Sequence, residues 1–130
     1  MLFRSLLDQS AQKELLPYAI ERNVDISIAG VFNSGVLANP VKGSTFEYLP
    51  ASDEIIAKAQ KIGDFLKNRG ISLTAAALQF PLRHPAVTSV LTGSRNSQEL
   101  LSNIAAFDLE LPEDIWQELE EANLIERLEI

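Results

Sequence analysis

Ser89-Val90-Leu91-Thr92-Gly93-Ser94-Arg95-Asn96-Ser97-Gln98-Glu99-Leu100-Leu101-Ser102-Asn103 passes from an apolar run through a glycine into a helix-opening pattern. Residues 87–91 carry the β-branched and apolar side chains of an inner strand. Gly93 permits a tight turn or a close approach of backbone to a ligand. Asn96 can cap the following helix, with Glu99 at capping-box spacing. Leu100, Leu101, Ile104 and Phe107 give that helix one apolar face. A strand, a glycine turn and a helix N-terminus bring free amides and the positive end of a helix dipole to one point. Ser94 and Arg95, just ahead of it, add a hydroxyl and a guanidinium, groups that donate well to phosphate. From these residues alone the stretch is either a phosphate site or a capped surface turn.

Upstream, the pattern alternates strands with helices. Leu2, Phe3, Leu6 and Leu7 form an apolar opening segment, and Asp8-Gln9-Ser10 a turn with Ser10 as an N-cap. A helix is expected over 11–22, with Pro17 moving its start toward Leu15 or kinking it. Asn23 can take the left-handed conformation that ends it. Residues 24–29 read as a strand, followed by the loop Gly30-Val31-Phe32-Asn33-Ser34-Gly35. Residues 39–50 read as a structureless loop, a length usually tied to function or mobility. Ser52 caps a helix whose apolar positions include Ile55, Ala59, Ile62 and Leu66, stopped at Asn68-Arg69-Gly70. Ser72 or Thr74 opens the next, which Pro81 tightens or kinks and Pro85 stops. Leu111-Pro112-Glu113-Asp114 starts a last helix. Residues 126–130 are left as a frayed tail beyond a single unit over 1–125.

Composition narrows the function classes. The 130 residues are 46% hydrophobic, carry a formal net charge of −7 and include no cysteine. A folded chain is expected, without disulfides or thiolate metal sites, and suited to the cytoplasm. No apolar run is long enough to span a membrane. Lys and Arg are scattered, which argues against nucleic acid as a partner. His84, the one histidine, cannot build a multi-histidine metal centre. It precedes Pro85 and reads as a loop anchor. Trp116 reads as core packing. Phe32 is either a loop aromatic packed on its neighbours or a ring against a cofactor. Asp8 and Gln9 lie at a strand end, where catalytic faces form. Three β-α units are too few to cover both faces of a parallel sheet, so the pattern implies part of a larger α/β barrel or sheet.

Several stretches together carry a family resemblance. Leu6-Leu7-Asp8-Gln9-Ser10, Gly30-Val31-Phe32-Asn33-Ser34-Gly35-Val36-Leu37, Ala76-Ala77-Leu78-Gln79-Phe80-Pro81-Leu82-Arg83-His84-Pro85-Ala86-Val87 and Thr92-Gly93-Ser94-Arg95-Asn96-Ser97 occur in order. The chain resembles the C-terminal portion of the aldo-keto reductases, in particular their bacterial sugar-dehydrogenase-like branch, from about residue 4 to 125. The resemblance implies a partial (β/α)₈ barrel with about three parallel strands, the sixth to eighth of the whole. It implies an NAD or NADP cofactor, and a sugar or carbonyl substrate in the intact enzyme. Gly30, Phe32 and Ser34 would lie at the pyrophosphate. Ser94, Arg95 and Asn96 would lie at the adenosine phosphate or ribose and Asn103 at the adenine, with Gln98 and Glu99 beside it; Gly93 would be part of the same cofactor site. Glu99 stands where NADP-preferring members often carry a basic residue and would repel a ribose 2′-phosphate, while Arg95 would attract one; the balance leans slightly toward NAD. The family's catalytic Asp, Tyr, Lys and His belong to the first half of the barrel. Tyr18 and Tyr48 have no matching Lys and His beside them, so no catalytic residue is assigned and this chain alone is expected to be inactive. A fragment of this kind would expose a strand edge and an apolar barrel interior and would self-associate. Its alternative role is a non-catalytic half-barrel that binds nucleotides or partners.

Overall fold

The computed structural model describes residues 2–129, with side chains from Arg4 onward. Three short strands, Leu2–Phe3 (β1), Ile26–Ala29 (β2) and Val87–Val90 (β5), form a parallel sheet in the order β1-β2-β5. Leu2 pairs with Ile28, and Ser27 with Ser89. Parallel neighbours need crossover connections, and helices supply them. Leu15–Glu21 (α1) links β1 to β2. Asp53–Lys67 (α2) and Leu73–Gln79 (α3) link β2 to β5. Ser97–Asp108 (α4) and Ile115–Glu121 (α5) follow.

Local chemistry sets most boundaries. Ser52 Oγ accepts from Ile55 N at 3.2 Å, and Ser72 Oγ from Ala75 N at 3.1 Å, so both hydroxyls cap as expected. Pro17 sits in the first turn of α1, which starts at Leu15. Asn23 takes φ 55° and ends α1. After α3 the chain tightens into a 3₁₀ turn, Phe80–Arg83, around Pro81. Ser10 does not cap α1: it opens a separate 3₁₀ turn, Ser10–Gln12, and bonds Asp8 Oδ1 at 2.8 Å. The last helix begins at Ile115, three residues after Pro112, because residues 113 and 114 close a turn first. The loop expected over 39–50 contains a two-stranded hairpin, Thr45–Phe46 (β3) and Leu49–Pro50 (β4).

Two apolar clusters meet along α3. Ala76 and Ala77 face the larger one, with Leu6, Leu37, Ile62, Leu66, Phe80 and Leu119. Leu78 faces the other, where Leu16, Ala19 and Ile28 pack α1 onto the sheet. The alanines of α3 let both clusters close against one helix. Trp116 packs edge-on to Phe80, ring centroids 5.9 Å apart. His84 is fully buried and anchors its loop, Nδ1 accepting from Ala86 N at 3.2 Å.

The C-terminal segment is tied down. Ile125 is buried, and Gln12 Nε2 donates to the Arg127 carbonyl at 3.0 Å. Leu128 N donates to Glu120 Oε1 at 3.1 Å. Ile130 lies outside the described residues. The apolar face of α4 is only partly covered by α3: no α4 residue is buried, and Leu101 is 67% exposed. The sheet face expected to be an apolar interior instead carries Ser27 and Ser89, both exposed, with their Oγ atoms 2.6 Å apart.

Candidate functional site

The three strands run the same way, so their C-terminal ends share one edge of the sheet. Leu91 N donates to Ile28 O at 2.7 Å, which places the exits of β5 and β2 side by side. The turn at Gly93 and the loop after Ala29 therefore leave neighbouring strand ends.

After β2 the backbone turns through left-handed geometry at Gly30 (φ 70°), Asn33 (φ 47°) and Ser34 (φ 67°). Gly30 meets this requirement without strain, whereas Asn33 and Ser34 each cost on the order of 1 kcal/mol. The surroundings hold them there. Asn33 N donates to Gly30 O at 2.9 Å. Thr45 Oγ1 donates to the Ser34 carbonyl, and Tyr48 N donates to Ser34 Oγ at 2.9 Å. The loop encloses a cavity of about 300 Å³. Gly30 and Ser34, both singled out from the sequence, line it together with Arg4, Asp8, Asn33, Glu47 and Tyr48. Phe32 is half-buried and packs against both apolar clusters, a ring that joins them. Gln9 is buried, with Nε2 donating to Leu6 O at 3.2 Å.

The second group assembles at the start of α4. Asn96 Oδ1 accepts from Glu99 N at 2.8 Å, the expected cap. The reciprocal bond differs from a capping box: Glu99 Oε2 accepts from Arg95 N, at 3.1 Å, rather than from the cap residue. The same oxygen accepts from Arg95 Nε at 3.2 Å. These two bonds from Arg95, backbone first, hold the Glu99 carboxyl below the usual carboxylate range. Asn103 Nδ2 donates to Ser94 Oγ at 3.3 Å. Asn103 also lines a slot of about 150 Å³ with Leu78, Thr92, Leu100 and Phe107, separate from the larger cavity. Gly93 has no positive φ, and nothing lies within 4 Å of a Cβ built on it. The turn itself does not require glycine there.

Sequence reasoning missed Arg4. Its side chain is 1% exposed, and its guanidinium stacks on the Phe80 ring at 4.9 Å. Nη2 donates to Gln12 Oε1 at 3.4 Å, while Nε and Nη1 have no partner among the described residues. Burial, and the charge of Arg83, lower its pKa to about 10. Burial first, then the Arg4 charge, also lowers the His84 pKa. Glu47 and Tyr48 were missed as cavity residues because they belong to a hairpin that the loop composition concealed.

The model of the aldo/keto reductase family matches residues 3–124. The chain belongs to the aldo/keto reductase family. Within it, this chain is 44% identical over 122 residues to the pyridoxal 4-dehydrogenase of Microbacterium luteolum, covering 93% of this chain and 36% of that protein. It is 39% identical over 123 residues to the D-threo-aldose 1-dehydrogenase of a Pseudomonas species, covering 93% and 37%. This chain thus spans about a third of the length of these curated relatives. Among solved structures it is similar in fold to a glycerol dehydrogenase from Gluconobacter oxydans, with a TM-score of 0.61 and 16% identity over 92% of this chain and 40% of that one. The α/β fold is therefore that of an aldo/keto reductase, and these relatives agree with the sugar-dehydrogenase-like branch.

Proposed function

We propose that this chain is the C-terminal, cofactor-binding part of a (β/α)₈ aldo/keto reductase that oxidises or reduces a sugar or related aldehyde in the cytoplasm. β1, β2 and β5 then correspond to the sixth, seventh and eighth barrel strands, whose C-terminal ends carry the active site in this architecture. The single observation behind the reading is the adjacency of the Gly30 loop and the α4 N-terminus at that edge. A dinucleotide is long and has two distinct ends, and this edge offers two separate recesses for them, one at the Gly30 loop and one beside Asn103.

The residues suit such a group. Ser94 Oγ, the first-turn amides of α4 and the Arg95 guanidinium are donors of the kind a phosphate ester takes. Gly30 and Ser34 would face the pyrophosphate, with Phe32 behind them. Asn103 would face the adenine from the apolar slot. Glu99 already holds Arg95, so a ribose 2′-phosphate would meet a carboxylate with its neighbouring cation engaged. That arrangement favours NAD over NADP. The nicotinamide, when bound, supplies hydride transfer, and the acid–base residues of the reaction belong to the preceding part of the barrel. This chain by itself binds cofactor without turning over substrate.

Calorimetric titration of the full chain with NAD and NADP tests the reading. NAD binds more tightly, and Glu99→Gln narrows the difference. No heat from either dinucleotide at millimolar concentration refutes it. The half-exposed apolar face of α4 favours a second reading, a non-catalytic half-barrel that pairs with another copy. Light scattering separates the two, since a monomer at working concentration sinks the self-associating module.

A further inference from the structure

Gln12 is a polar side chain, fully buried, that joins two parts of the chain 115 positions apart. Both atoms of its amide are used. Nε2 donates to the Arg127 carbonyl at 3.0 Å and to Glu126 Oε2 at 3.4 Å, and Oε1 accepts from Arg4 Nη2 at 3.4 Å. Burying an amide is costly unless such partners are met, so their geometry is specified. The residues before Gln12 form a closed turn. Ser5 is buried, its Oγ accepts from Leu7 N and Asp8 N, both at 3.1 Å, and its own N donates to Asp8 O at 2.9 Å. Gln12 N donates to Gln9 O at 3.1 Å and extends the turn. Asp8 lines the larger cavity with Gly30 and Ser34. These bonds are local: they fix the shape of the turn and not its position. Leu6, buried in the larger apolar cluster, anchors the near side. Among the described residues, every hydrogen bond that ties positions 5–14 to a distant part of the chain is made by Gln12.

The segment that Gln12 reaches is fixed from its other side. Ile125 is buried, and Leu128 N donates to Glu120 Oε1, the same oxygen that pairs with Arg83. Residues 126–128 are thus a strap fastened to α5, and Gln12 hooks the cavity turn to it. We propose that Gln12 is a positioning residue for the dinucleotide site: through it the strap keeps the Asp8 wall of the cavity in place, and dinucleotide affinity depends on that link. The inference rests on the reading of this cavity as the pyrophosphate end of the site. Gln12 lies behind the wall and not in the cavity lining. A wall ordered before binding leaves less ordering to be done by the ligand. The bond from Arg4 cannot replace the strap, because it spans eight positions and closes the turn on its own base.

The test uses the full chain and two replacements of similar length. Gln12→Met breaks all three bonds without adding a charge. Gln12→Glu keeps an acceptor for Arg4 but has no donor for the Arg127 carbonyl, and it meets Glu126 with a like charge. NAD affinity is read by calorimetry, and local order by amide hydrogen exchange. Both variants weaken NAD binding about fivefold. Both speed exchange at Leu7, Asp8 and Ser10, while the amides of α3 and α5 keep their protection. Unchanged NAD affinity in both variants overturns the positioning role. Affinity restored by Gln12→Glu assigns the link to Arg4 and overturns the strap. Protection lost throughout α3 and α5 in both variants makes Gln12 a residue of general stability and also overturns the proposal. Absence of NAD binding by the natural chain refutes the functional reading instead. The exchange measurement then still decides the strap: faster local exchange in both variants supports it, and unchanged exchange overturns it.

Discussion

Replacing Arg4 by methionine tests whether a buried, unpaired cation weighs against this fold. The guanidinium has one long hydrogen bond, to Gln12, and no carboxylate partner among the described residues. Its pKa falls from the ordinary guanidinium range to about 10. At about 1.36 kcal/mol per pH unit, that fall corresponds to roughly 3 kcal/mol against the charged form. The side chain is almost wholly buried, so water screens little of that cost. Methionine removes this cost and keeps an apolar stem on Phe80. It forfeits the cation–π contact, about 1 kcal/mol, and leaves Gln12 Oε1 without its donor, about another 1 kcal/mol. Arg4→Met is therefore neutral to slightly stabilising, by about 1 kcal/mol at most. A second change, Gln12→Met, removes the orphaned acceptor but also releases the Arg127 carbonyl. Ordinary truncation of a fully buried side chain costs about 2–5 kcal/mol. Urea unfolding followed by Trp116 fluorescence measures the difference. A loss above about 2 kcal/mol for Arg4→Met would mean that the charge is compensated, and the reasoning would fail.

Two further predictions follow from single residues. Burial and Arg4 lower the His84 pKa, so the unfolded chain binds the extra proton first as pH falls. Stability from this group is complete above the unfolded value of about 6.5 and declines below it. Chemical denaturation between pH 8 and 5 should show a steeper acid decline for the natural chain than for His84→Asn, and parallel profiles would refute the assignment. Gly70, at φ 73°, should lose about 1 kcal/mol on change to alanine, while Gly93→Ala should leave the melting temperature unchanged, because its backbone is ordinary and its surroundings are open. Equal shifts for the two would contradict the described turn.

Short-range chemistry was legible in the residues themselves. Ser52, Ser72 and Asn96 cap because a side-chain oxygen can reach an amide only two or three positions on. Asn23 stops α1, and Pro81 tightens the end of α3, for equally local reasons. The Gly30 loop and the start of α4 were likewise visible as glycine turns and caps, and parallel β-α units put both at one edge. The hairpin at 45–50 was hidden because Glu47 and Tyr48 lack the signature of its turn. The cavity lining was hidden because it joins residues separated by some forty positions.

From sequence alone came the alternation of strand and helix, the helix caps and the family motifs, since each depends on contacts within about one turn. Tertiary structure decided that Gln12 reaches the Arg127 carbonyl, that Arg4 is buried without a carboxylate partner among the described residues, and that Tyr48 lines the cavity. It also decided that the apolar stripe of α4 stays half-exposed. Periodicity tells which side of a helix is apolar. Only the placement of distant segments determines whether anything covers it.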